Sequence, residues 1–182
     1  MKALIALKFL AWRTKQNLRE GNVKIRKNVP YSQSQNIGIL FTVTDKEKHE
    51  VIKHFIHLLE KDHKQVKTLT FLETGKENYE FRFDFFEQKD ISLSGKINST
   101  LVEDFIAKEF DFLYHLDLDV ANPAMENILS LSKARCRIGL YKKDKEPFYE
   151  LMLQPKPGKG LKEVVEEVYH YTKELTKNDT VA

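Results

Sequence analysis

The chain has 182 residues, of which 41% are hydrophobic, 31% charged and 11% aromatic, with a formal net charge of +3. That length and apolar share fill one domain-sized core, and they exclude a disordered tail, a collagen-like chain and a disulfide-stapled scaffold. The single cysteine, Cys136, rules out an intramolecular disulfide and fits a reducing, cytoplasmic compartment. Arg135 and Arg137 beside it would favour a thiolate, but no histidine is placed by sequence to serve it, so Cys136 reads as a core residue.

Charge is unevenly spread. Residues 1–27 hold Lys2, Lys8, Arg13, Lys15, Arg19, Lys24, Arg26 and Lys27 against Glu20 alone, a net of +7 that leaves −4 for the remainder. The basic character therefore belongs to an extension on a mildly acidic body. Its apolar run from Ala3 to Trp12 is interrupted by Lys8, is too short to span a bilayer and is followed by no small-residue cleavage pattern. On a helix, Leu4, Leu7, Ala11 and Leu18 fall on one side and Lys8, Lys15 and Arg19 on the other, so 1–27 reads as a basic amphipathic helical extension. Such a helix docks on its own domain, a partner or a second copy, or lies on anionic lipid at the inner face of a membrane with Phe9 and Trp12 in the interface. Nucleic acid is not the expected partner. Residues 28–36, polar and containing Pro30, read as a linker, and 37–182 as a single α/β domain.

Ile37 to Val43 is a continuous apolar run of strand length, the pattern of a strand buried on both faces of a parallel sheet. Thr44-Asp45-Lys46-Glu47 reads as a capping box, and Val51, Ile52, Phe55, Ile56, Leu58 and Leu59 continue as one helix face. Val66 to Leu72 is the next strand, completing a βαβ unit. Between Asn78 and Ile97, the alternation of Tyr79, Phe81, Phe83 and Phe85, then of Ile91 and Leu93, predicts one or two short strands. Thr100 to Glu103 is a second capping box opening a helix to about Glu109, and Phe112 to Leu118 is a strand. Asn122-Pro123 then supplies an N-cap and a first-turn proline for a helix to about Lys133. Cys136 to Tyr141 is the next strand. The polar connection from there to Phe148–Leu153 is too short for a parallel crossover, so that segment is expected as an antiparallel edge strand. A last helix covers Leu161 to Leu175. The expectation is a Rossmann-like α/β fold with an open, mostly parallel sheet.

Such sheets bind ligands outside the carboxyl ends of their strands, where the strand order switches. The candidates there are Thr44, Asp45, Glu73, Asp117, Asp119 and Asn122, whose carboxylates suit general acid/base work. Thr44 and Asn122 are also accounted for as helix caps. No glycine-rich phosphate loop follows the first strand, and Pro155 to Gly160 reads as a stiff turn. His54, His57 and Glu50 share one helix sector, but Lys61 shares it too and would oppose a cation. No metal and no cofactor is assigned.

The segment Phe110 to Asp117, followed by Asn122 to Lys133 and Ala134-Arg135-Cys136-Arg137-Ile138-Gly139-Leu140, resembles the strand, helix and A-K-x-R-I-G strand in the N-terminal half of lipopolysaccharide heptosyltransferases. That resemblance implies a Rossmann-like half; the family's glycine-aspartate pair after its first strand is Thr44-Asp45 here. Over its whole length the chain is similar to a family of uncharacterised bacterial proteins, which implies no activity. The reading is a non-catalytic binding or adaptor domain that uses its basic helix, with Lys8, Arg13, Lys15, Arg19, Lys24, Arg26 and Lys27 as the contacting cations. The alternative is a small enzyme or ligand-binding protein of the nucleotide or sugar-phosphate class, acting at the crevice.

Overall fold

The computed structural model describes residues 2–20, 29–43, 45–73, 83–118 and 122–175. In chain order it contains α1 (Lys2–Glu20), β1 (Asn36–Val43), α2 (Lys46–Lys61), β2 (Gln65–Leu72), β3 (Asp84–Glu87), α3 (Thr100–Ala107), β4 (Phe112–His115), α4 (Pro123–Leu131), β5 (Cys136–Leu140), β6 (Leu151–Leu153) and α5 (Leu161–Leu175). The strands form one six-stranded sheet in the order β3-β2-β1-β4-β5-β6. Every neighbouring pair is parallel.

The apolar run of β1 is explained by its central place: from Ile37 to Val43 each residue is buried. Alternate side chains serve opposite faces. Ile37, Ile39 and Phe41 pack with Tyr114 and Ile138 under Ile52 and Phe55 of α2 and Val164 and Val168 of α5. Leu40, Leu69 and Leu113 pack on the other face with Val102 and Phe105 of α3, Met125 and Ile128 of α4, and Ala6 and Leu10 of α1.

The N-terminal helix is thus docked, on α4, but rotated from the expected orientation. Its buried line is Ala6, Leu10 and Thr14, whereas Leu4 faces solvent. Leu7 and Leu18 of the expected face do pack against the core beside this line, but its centre is shifted because small and polar residues share the contact with Leu10. Asn127 Nδ2 donates to Thr14 Oγ1 at 3.0 Å and Asn17 Nδ2 to Ser130 Oγ at 3.4 Å, fixing α1 against α4. Burial of Leu10 alone is worth about 1.5–3 kcal/mol. Gly95, at φ +73, brings a turn against the same helix, where a Cβ would lie 2.4 Å from the Leu10 nitrogen.

The caps differ in detail from the sequence reading. Asp45 caps α2, accepting from the Lys48 nitrogen at 2.8 Å, and Thr44 lies outside the described residues. Thr100 is the first residue of α3, and Ser99 holds the cap position without a side-chain bond. Asn122 and Pro123 open α4 as expected, with Asn122 Oδ1 accepting from the Ala124 nitrogen at 2.9 Å. Tyr79 and Phe81 lie outside the described residues; Asp84–Glu87 pairs with β2, and Ile91 makes one isolated antiparallel bridge to Ile97.

The expected antiparallel edge strand is corrected to a parallel one, β6, in register Ile138↔Leu151 to Leu140↔Leu153. The short connection achieves a parallel crossover by dispensing with an α-helix. A single 3-10 turn, Glu146–Phe148, buries Phe148 in the α4-side cluster, and the chain returns across the sheet surface at Tyr149. Gly139 makes the room, since a Cβ there would stand 2.3 Å from the Tyr149 ring. Arg137 then pins the return. Its backbone nitrogen and guanidinium donate to Glu150, at 2.7 Å from N and 2.6 Å from Nη2, and Nη1 donates to the Leu129 carbonyl at 3.0 Å. A buried bidentate arginine–carboxylate pair of this kind holds position as well as charge.

Candidate functional site

The order of the sheet places its switch between β1 and β4, so the expected crevice lies above their carboxyl ends. There β4 stops at His115 while β1 continues to Val43. The backbone ladder ends with the Leu116 nitrogen donating to the Leu40 carbonyl at 3.0 Å. Asp117 then substitutes for the missing strand. Its Oδ1 accepts from the Thr42 nitrogen at 2.9 Å and from Lys48 Nζ at 2.5 Å, and its Oδ2 accepts from Thr42 Oγ1 at 2.8 Å.

Oδ2 also lies 3.2 Å from His115 Nε2. An ionised carboxylate only accepts, so His115 Nε2 donates to it, and the Tyr149 hydroxyl lies 2.7 Å from Nδ1 on the other side of the ring. Burial pulls the Asp117 pKa upward, but the hydrogen bond and charge of His115 together with Lys48 outweigh it and hold the carboxyl well below the usual carboxylate range. Burial, with the charges of Glu126 and Asp117 adding to it, pushes the Tyr149 phenol above its ordinary value. The result is a satisfied buried network, and Asp117 has all of its near lone-pair directions occupied by the protein.

The other candidates do not converge on it. Asp45 and Asn122 act as caps, and Glu73 is exposed beyond the end of β2. Thr44 and Asp119 lie outside the described residues. The residues that complete the network, Thr42, Lys48 and Tyr149, were not singled out by the sequence reading. Lys48 had a local signal, standing three residues after a capping aspartate on the first helical turn; Tyr149 had none within its own segment.

At the opposite end of the sheet, Asp62 gathers three donors on Oδ2: Tyr31 Oη at 2.7 Å, Tyr169 Oη at 2.6 Å and Lys173 Nζ at 2.8 Å. Partial burial opposes its ionisation, but these hydrogen bonds prevail and lower its pKa to about 2. Lys64, buried beside it, donates to the Tyr31 and Ser34 carbonyls at 2.7 and 2.8 Å. This cluster ties α5 and the segment before β1 to the end of α2.

The outward face of α1 is the reverse case. Leu4, Ile5, Phe9 and Trp12 are 61%, 43%, 50% and 58% exposed. Ile5, Phe9 and Trp12 follow at i, i+4 and i+7, so they form one strip on the side away from Ala6, Leu10 and Thr14. By the same spacing Lys8, Lys15 and Arg19 run along one flank of the strip, and Lys2 and Arg13 along the other. All five cations are exposed, and the helix contains no acidic residue before Glu20. Lys24, Arg26 and Lys27 lie outside the described residues. Among the described residues, no helix is long and apolar enough to cross a membrane.

Fold and strand order define a Rossmann-like α/β domain carrying an additional N-terminal helix on its α4 side. The family of unknown function DUF6913 matches residues 7–175, and the chain belongs to that family. The match takes in most of α1 with the rest of the fold. No curated protein and no solved structure matches, heptosyltransferases included.

Proposed function

We propose that the protein is a binding domain that docks on an anionic lipid surface through the outward face of α1. The observation that carries this reading is the exposed Ile5-Phe9-Trp12 strip, flanked on both sides by cations and free of acidic side chains up to Glu20. Apolar and aromatic groups of such a face enter the headgroup boundary, while each flanking Lys or Arg contributes about 1 kcal/mol near an anionic leaflet. Because α1 is held on α4 through Leu10 and the Asn127–Thr14 bond, the face is ordered before it meets its target, which reduces the entropic cost of binding. The engaged state of Asp117 is consistent with a scaffold rather than a catalytic role for the crevice. In co-sedimentation, vesicles containing phosphatidylserine should bind the full chain, and binding should fall with added salt and be lost in Phe9→Ser/Trp12→Ser. Equal binding of that variant, or no binding to the charged vesicles, overturns the reading; a concentration-dependent dimer in its place would assign the strip to a second copy.

A second reading rests on Tyr149, whose hydroxyl ends the Asp117–His115 chain beside the switch point. In it the crevice holds a small ligand of the nucleotide or sugar-phosphate class, and the stretch resembling the heptosyltransferase half points the same way. A thermal-shift panel of nucleotides and sugar phosphates tests it. A bound ligand at a hundred times its Kd stabilises by about 2.7 kcal/mol, and Tyr149→Phe should remove that shift; a blank panel with the wild type removes this reading.

A further inference from the structure

We infer that a cavity where α1, α3 and α4 meet is a binding site for a small anionic amphiphile, a phosphate or carboxylate head on a short aliphatic tail. The cavity has a volume of about 340 Å³, within the range of small-molecule sites, roughly 300–1,000 Å³. Its apolar wall is Ile97, Val102, Ile106 and Leu131. Arg13, Lys96 and Lys133 also line it, against Glu103 as the one acid, and Glu103 stands 3.9 Å from Lys96. Arg13 and Lys133 have no ion pair among the described residues. An apolar wall beside unneutralised cations matches a molecule that is aliphatic at one end and anionic at the other; an uncharged hydrocarbon would leave the cations unused, and a bare phosphate would leave the wall wet.

The cavity is maintained by the same devices that seat α1. Asn127, buried in its lining, is fixed by donating to Thr14. Gly95, also in the lining, places its turn against the Phe9–Leu10 backbone. The opening therefore exists only with α1 docked, and a ligand bound there would hold the helix in place. The apolar wall of the site is separate from the Ile5-Phe9-Trp12 strip, which faces away from α4; Arg13 is common to both, so the two claims are told apart by Ala107 and Lys133 on the cavity side and by Phe9 and Trp12 on the strip.

The test uses the full chain with octyl phosphate below its micellar concentration, and octyl glucoside as the uncharged counterpart, by isothermal titration. Octyl phosphate should bind with one-to-one stoichiometry, and octyl glucoside should bind at least about tenfold more weakly. Ala107→Phe, which places a ring into the lining from an exposed position, should abolish binding, and Lys133→Gln, a surface change, should weaken it by a similar factor. Melting curves of both variants check that they fold. Equal affinity for the two detergents, no binding of octyl phosphate, or unchanged binding in folded Ala107→Phe overturns the inference. Phosphatidylserine vesicles, run in parallel, separate the two claims. Vesicle binding without octyl phosphate binding removes the cavity and leaves the α1 face, and the opposite pattern removes the α1 face and leaves the cavity.

Discussion

The carboxyl-end crevice and the outer face of α1 treat their chemistry in opposite ways. In the crevice, the charged groups are buried and mutually satisfied: Asp117 accepts from Thr42, Lys48 and His115, and His115 in turn meets Tyr149. On α1, apolar and cationic side chains are left exposed with no acid between them. The position where this fold usually binds ligands has its carboxylate committed to holding strands together. An added helix, by contrast, presents an unspent surface. Buried ionised groups persist only when partnered, whereas an exposed apolar strip costs free energy that a binding partner can relieve.

The contrast is broken most severely at Asp117. Asp117→Ala leaves the Thr42 nitrogen, the Lys48 ammonium and His115 without their acceptor, and should cost about 3–5 kcal/mol in urea denaturation; a loss below about 1 kcal/mol would mean the network is incidental. Arg137→Met should cost about 3 kcal/mol by stranding Glu150 and freeing the β6 crossover. Gly139→Ala forces the Tyr149 ring off the sheet and should cost about 1–3 kcal/mol, with the change in tyrosine environment visible by near-ultraviolet circular dichroism.

Acid sharpens the comparison further. Asp62 has a folded pKa of about 2 against an ordinary 3.8, so its contribution is fully present above the ordinary value and disappears as pH falls toward about 2. Asp117, also depressed, loses its contribution in the same direction. Stability followed from pH 6 downward should therefore drop through this window, and Asp62→Asn should flatten part of the drop. At the small end, Phe9→Ser and Trp12→Ser should each change stability by no more than about 0.5 kcal/mol, because neither side chain is packed.

Much of this architecture was legible in the chain. The apolar run at Ile37–Val43, the Asn122-Pro123 start of α4 and the whole of Leu161–Leu175 were read correctly because each carries a strong local pattern. The direction of β6 was not, since it depends on Arg137 clamping Glu150 and on Gly139 accepting Tyr149, contacts between segments that sequence spacing does not report. The inner face of α1 was placed only in part for a related reason: Leu7 and Leu18 pack against the core, but Thr14 faces α4 because Asn127 meets it there. Of the crevice candidates, Asp117 sits in a buried network whose partners come from β1, α2 and the β6 crossover and had no shared signature in the sequence. The interface role suggested for Phe9 and Trp12 relied on local amphipathicity, and both are exposed.

The most direct measurement uses Trp12, the single tryptophan of the chain, as its own reporter. Its fluorescence should be recorded in the full-length protein as phosphatidylserine-containing vesicles are added, with phosphatidylcholine vesicles as the comparison. Insertion of the α1 face into an anionic interface predicts a blue-shifted emission that saturates with charged lipid, reverses with salt and is absent with phosphatidylcholine alone. An emission maximum that stays at its solvent-exposed position throughout the charged-lipid titration would contradict the account.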